Sequence, residues 1–242
     1  MKEFWTSLST WKKFKLIVAT DVSSKGNDLE QLHKMSVQTK ENLGVEELDI
    51  VGDVGYFSAK ELKKCMDDNI KITVPEGNKT QGQKNKGKYT RDDFKYDSQN
   101  DCYLCPGNKK LNKTISQQTW NKKLYYKYAT TNPDCNGCPL REKCLSSKAS
   151  YRVIYRWEHE AVVEKHRQKM ALEVSKEIVK KRGSIVEHPF GTIKRMLGWD
   201  HYLVRGNEKV SGENALIMFT YNFKRVLNIL GIEMFRKMIR VI

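Results

Sequence analysis

The chain has 242 residues, 39% of them hydrophobic, and its 44 Lys and Arg against 29 Asp and Glu give a formal charge of +15. No apolar run reaches the roughly 18 residues that a membrane helix needs, and Met1 to Phe14 mixes charges with aromatics instead of forming the apolar centre of a signal peptide. A membrane protein is thereby excluded, and the expectation is a cytoplasmic protein able to bury a real core.

In chain order, the apolar run Leu16-Ile17-Val18-Ala19 predicts a strand over Lys15 to Val22. The preceding segment Phe4 to Phe14, with Phe4, Trp5, Leu8 and Trp11, has apolar spacing closer to a helix turn than to a strand. A helix is expected next, with Asn27 as N-cap, Glu30 three residues on, Leu29, Leu32 and Leu43 near one face, and Gly44 as its stop. Leu48 to Asp53 reads as a second strand ending on an acid. Ser58 and Glu61 form a capping-box pattern for a short helix to about Met66, and Ile70 to Val74 is a third strand stopped by Pro75. The order β-α-β-α-β predicts parallel strands covered by helices, an α/β domain.

From Glu76 to Ala149 hydrophobic periodicity fades, and Gly, Lys, Asn and Gln dominate beside five of the six cysteines, as in an insertion. The stretch Lys71 to Thr131 holds 13 Lys and Arg against 5 Asp and Glu, more than half of the net excess in a quarter of the chain. A field so concentrated gathers polyanions, which makes nucleic acid the first partner to consider over a merely soluble basic surface. Leu124, Tyr126 and Tyr128 alternate as in a strand, a reading preferred to base stacking by Tyr125, Tyr126 and Tyr128. Helical periodicity returns over Trp157 to Lys181 and again over Gly212 to Leu230, where Leu216, Phe219, Phe223, Val226 and Leu230 mark the face expected to pack on the sheet. The expected partition is 1–75, an α/β core; 76–150, the basic cysteine-rich insertion; and 151–242, a helical remainder.

Two acids stand out. Asp53 closes a strand at the end where open α/β sheets place ligands, although a turn-capping aspartate gives the same pattern. Glu187 lies among apolar neighbours with Lys194 seven positions later, two turns along one helical face if the helix is regular, so a cation-binding carboxylate and a phosphate-binding lysine could face one backbone. A solvated Glu/Lys face fits the same spacing.

The blocks Lys15-Leu16-Ile17-Val18-Ala19-Thr20, Gly26-Asn27-Asp28, Gly52-Asp53-Val54-Gly55-Tyr56-Phe57, Tyr155-Arg156-Trp157-Glu158-His159-Glu160 and Val186-Glu187-His188-Pro189-Phe190-Gly191-Thr192-Ile193-Lys194 resemble, in order, the C-terminal catalytic region of bacterial insertion-sequence transposases of the DDE type. The resemblance implies an RNase H-like mixed sheet with flanking helices, in which three acids hold two Mg²⁺ (or Mn²⁺) ions for DNA cleavage and strand transfer. Asp53 matches the second family acid, Glu187 the third, and Lys194 the lysine that follows, with Arg195 beside it. Arg182 lies one position from the family's arginine, and Lys180 stands where a tyrosine is common. The first acid has no counterpart: Leu16 to Val22 matches the third strand of such a sheet, so the fold is expected to be N-terminally truncated. Asp21 and Asp28 follow that strand, away from the metal site.

Cys102-Tyr103-Leu104-Cys105 and Cys135-Asn136-Gly137-Cys138, followed by Cys144, put five cysteines in contention for the four corners of a Zn²⁺ site, with buried free thiols as the alternative. The family pattern resembles Cys105, Cys135, Cys138 and Cys144, which implies those four as ligands of a small zinc-ribbon-like insertion; Cys65 belongs to a helix. The implied partner is double-stranded DNA at transposon ends, with a second copy or an intact transposase as protein partner. The functional expectation is a transposase fragment that binds DNA and is inactive alone for want of one carboxylate. The alternatives are a non-catalytic zinc-stapled DNA-binding or transposase-partner protein, and a decayed gene product.

Overall fold

The computed structural model describes residues 5–24, 29–77 and 80–240, without the side chains of 5–8, 11 and 184–187. The architecture is mixed α/β. In chain order it contains strands β1 (Trp5–Trp11) and β2 (Leu16–Ser23), helix α1 (Gln31–Leu43), β3 (Leu48–Val51), α2 (Ala59–Asp67) and β4 (Ile70–Thr73). A short α3 (Gln81–Lys84) leads to β5 (Lys95–Asp97), β6 (Cys102–Leu104), β7 (Lys110–Trp120), β8 (Lys123–Ala129), α4 (Asn132–Cys135), α5 (Arg141–Cys144) and β9 (Val153–Trp157). Helices α6 (Glu160–Ala171), α7 (Glu173–Gly191), α8 (Asn207–Leu230) and α9 (Ile232–Ile239) complete the chain. Two compact units result, one from residues 1–77 with 165–242 and one from 78–164.

In the first unit the segment expected as a helix turn is instead β1, paired antiparallel to β2. Its aromatic spacing follows no strand rule, but seven residues of backbone register with β2 satisfy the polar groups along that one edge. The expected set of three parallel strands is therefore corrected. Among the described residues only β3 and β4 run parallel, and β1–β2 forms a separate two-stranded sheet.

Helix α1 stops at Gly44, whose left-handed φ of 62° suits a residue without Cβ. The expected N-cap Asn27 lies outside the described residues, and α1 begins after Glu30. Ser58 does precede α2, yet it makes no side-chain cap bond. Glu61 is buried and accepts the His33 amide from the first turn of α1 at 3.2 Å, so it caps the neighbouring helix rather than its own.

Helix α8 also departs from expectation. Leu216 and Phe219 are 68% and 65% exposed, whereas Ile217, Met218 and Tyr221 form a buried cluster with Ile17 and Ile193. The helix is apolar on two sides, and the buried one carries the polar groups that fit β2. The Asn222 side chain accepts from the Ile17 amide and donates to the Ile17 carbonyl, both at 2.8 Å, as a neighbouring strand would.

The second unit holds a five-stranded antiparallel sheet in the order β5 to β9, where the sequence showed little periodicity. Tyr125, Tyr126 and Tyr128 lie on a strand, as their alternation predicts. Asn121 and Lys122 turn β7 into β8 with φ of 51° and 60°, the positive pair that a two-residue hairpin requires. Tyr103, Tyr128, Phe94, Leu111 and Ile154 make the core. β9 pairs with β8 through Trp157, where the sequence predicted a helix to begin.

Candidate functional site

Strand β3 delivers Asp53. Gly52 continues the ladder by donating to the Thr73 carbonyl at 3.1 Å, and a Cβ there would stand 2.8 Å from Val74 Cγ2, so the close approach to β4 requires glycine. Asp53 then caps a 3-10 turn over Val54–Tyr56, with its Oδ1 accepting the Val54 amide at 2.7 Å. The turn-capping role that sequence allowed is thus real. It leaves the second oxygen available: Oδ2 lies 3.4 Å from Arg182 Nη1, on a carboxylate 52% exposed.

Arg182 comes from α7, the helix that also carries Glu187. The side chain of Glu187 is outside the described residues; along the helix its backbone lies about 7.5 Å beyond that of Arg182. The two-turn spacing expected between Glu187 and Lys194 is not kept. Pro189 interrupts the amide ladder, α7 ends at Gly191, and Thr192–Met196 continue as a wider π turn. That turn buries Ile193 against Tyr221 while Lys194 and Arg195 remain exposed. His188 Nδ1 sits 3.1 Å from the Tyr221 hydroxyl, which donates to the Lys15 carbonyl. Partial burial, with Lys15 and Arg225 nearby, lowers the His188 pKa.

Of the two other acids weighed for the metal site, Asp21 is paired to Lys34 at 2.7 Å on β2, and Asp28 lies outside the described residues.

In the second unit Cys105, Cys135, Cys138 and Cys144 line one small cavity of about 20 Å³. Each is set by a local turn. The Lys109 amide donates to Cys105 Sγ at 3.2 Å, Thr130 Oγ1 lies 3.1 Å from Cys135 Sγ, Gly137 has φ 76° between Cys135 and Cys138, and Cys144 closes α5. Burial raises the Cys144 pKa, the other three thiols add to it, and Arg152 opposes it. Cys102 lies outside this cavity, buried in β6, and Cys65 is enclosed in α2 with its pKa pushed up to about 12 by burial. Among the described residues no three His, Cys, Asp or Glu side chains are grouped closely enough to hold an ion. The four cysteines therefore form no closed Zn²⁺ cage there, while the Mg²⁺ expectation falls partly on the Glu187 side chain, outside the described residues.

Sequence reasoning missed the Arg182–Asp53 pair, because the two residues are 129 positions apart and nothing in their local patterns links them. No helix of the described residues is long and apolar enough to cross a membrane.

The family model described as transposase DDE domain matches residues 104–227, just over half of the chain, taking in the cysteine cluster, Arg182, Glu187 and Lys194 and beginning after Asp53. No curated protein and no solved structure matches.

Proposed function

Because this chain belongs to the family of transposase DDE domains, we propose that it engages transposon-end DNA through an RNase H-like core and does not cut that DNA alone. The observation that carries the reading is the meeting of Asp53, at the carboxyl end of β3, with Arg182 of the helix that bears Glu187. Two segments far apart in sequence thereby converge where a phosphate backbone would be handled. Arg182, Lys194 and Arg195 supply cations for phosphate oxygens. Asp53 and Glu187 are the carboxylates that would hold Mg²⁺ or Mn²⁺.

A metal pair about 4 Å apart needs several oxygen ligands in fixed positions. Here one Asp53 oxygen accepts the Val54 amide and the other faces Arg182, so both oxygens of that carboxylate are already engaged. Asp53 as placed does not fit a metal pair, and the reading is accordingly one of binding without cleavage.

The cysteines support a second element of the proposal. Four thiols around one cavity are the donor set of structural zinc, and their turns would have to draw inward to hold it. Zinc there would tie the loops after β6 and β8 to α5 and leave DNA contact to basic side chains. A second copy or an intact transposase is the protein partner proposed, in a cytoplasmic setting.

The test is binding of a labelled duplex by the full chain at rising salt. Affinity should fall steeply, as phosphate-bound counterions are released. A flat response between low and physiological ionic strength would remove the DNA reading.

A further inference from the structure

The first unit covers two of its four strand edges and leaves two facing one groove. The outer edge of β2 is covered: Asn222 brackets the Ile17 amide and carbonyl, and Asn42 donates to the Val18 carbonyl at 2.8 Å. The outer edge of β4 is covered as well, since Lys169 Nζ donates to the Ile72 carbonyl at 3.0 Å and His166 Nε2 to the Val74 carbonyl at 2.8 Å. The inner edges differ. Among the described residues β1 pairs only with β2, and β3 only with β4. Gly52 donates across the ladder to Thr73, and ladder bonds alternate along a strand, so the Asp49 and Val51 backbone groups point away from β4.

They point towards a groove of about 690 Å³, lined by Ser9 and Thr10 of β1, by all of β3, and by apolar side chains that include Leu32 and Met35 of α1 and Ile178 of α7. Thr10 Oγ1 is buried with no hydrogen-bond partner. An orphaned hydroxyl and two open strand edges around one apolar space are what a removed strand would leave behind.

We propose that this groove receives an extended segment of a separate polypeptide, which adds a strand between β1 and β3. Its chemistry follows from the walls. Apolar side chains of both α1 and α7 line the groove, so the segment is mainly apolar. Lys12, Lys71, Lys169 and Arg182 line the groove with Asp49; Lys71 is already paired with Glu47 at 2.8 Å and Arg182 faces Asp53, so four cations meet three carboxylates and the segment carries one carboxylate to balance them. A second copy is the poorer occupant, since each chain bears +15 and its described strands are already committed to their own sheets. Backbone hydrogen bonds would supply the affinity and alternate side chains the selectivity, as in other strand-addition complexes. The inference rests on the edges and the groove, and it holds whether or not the chain engages DNA.

The probe is a set of labelled synthetic peptides of about eight residues, the length of an ordinary strand, alternating aliphatic residues with one aspartate moved through each position. Binding to the full chain is followed by fluorescence anisotropy, and amide exchange at Asp49 and Val51 by NMR. At least one peptide should bind saturably and slow exchange at both amides. Its N-methylated counterpart should fail, and replacing its aspartate with asparagine should weaken it. Val51→Pro removes an amide on the open edge without touching the ladder to β4, and should weaken binding about tenfold. A thermal melt of that variant matching the parent shows that the fold is kept. Three results would overturn the proposal: no saturable binding by any peptide, binding indifferent to N-methylation and to Val51→Pro, or concentration-dependent protection of Asp49 and Val51 without peptide, which gives the groove to a second copy.

Discussion

Arg182 of α7 holds its guanidinium 3.4 Å from the carboxylate of Asp53 at the end of β3. The pair is half-exposed, so it contributes at most about 1 kcal/mol to stability. Its larger consequence is competition: a phosphate approaching Arg182 must displace Asp53 or share the cation with it. Arg182→Ala should weaken duplex binding severalfold with a nearly unchanged melting temperature, whereas Asp53→Asn should strengthen binding at low salt by removing the competing charge. Equal affinities for both variants and the parent would separate this pair from DNA.

Asn222 stands in for a strand on the outer edge of β2. Replacing it with leucine keeps the volume but leaves the Ile17 amide and carbonyl without partners, at a cost of about 1–3 kcal/mol. Chemical denaturation reads the change, and a variant as stable as the parent would show that the edge is satisfied another way.

Acid should weaken the first unit. Burial lowers the pKa of both His166 and His188 below the ordinary value of 6.5. The unfolded chain therefore takes up protons near pH 6.5 while the folded chain does not, so stability is full above that value and falls as pH drops below it. Thermal melts between pH 7.5 and 5.5 should show this loss. His166→Gln can still donate to the Val74 carbonyl but does not titrate, and should flatten the slope; an unchanged slope would place the proton uptake elsewhere.

How much of this was legible depended on whether the signal was local. The strand ending at Asp53, the helix stopped by Gly44 and the alternation through Tyr128 are patterns of a few residues, and sequence carried them. β1 was misread because its identity lies in its pairing with β2 and not in its own apolar spacing. Apolar residues on two sides of α8 left its face ambiguous. The discriminating signal was polar: Asn214 and Asn222, eight positions apart, both reach β2, at Thr20 and Ile17. The π turn after Pro189 broke a spacing argument that assumed a regular helix. Nothing short of the fold could bring Arg182 to Asp53.

The cysteine reading makes its own demand. Protein purified without chelators should carry about one zinc per chain, lost on Cys138→Ser and kept on Cys102→Ala, with the 78–164 unit losing order when the metal is removed. Zinc-free protein by elemental analysis, with a folded second unit, would assign the four thiols to ordinary packing.

The most direct measurement mixes the full chain with a labelled transposon-end duplex and Mg²⁺ or Mn²⁺, then resolves the same samples on native and denaturing gels. The account predicts a salt-sensitive shift of intact DNA, because both Asp53 oxygens are engaged, by the Val54 amide and by Arg182, and not free to hold a metal pair. Metal-dependent strand cleavage, abolished by both Asp53→Asn and Glu187→Gln, would contradict it and show that the isolated chain assembles a working active site.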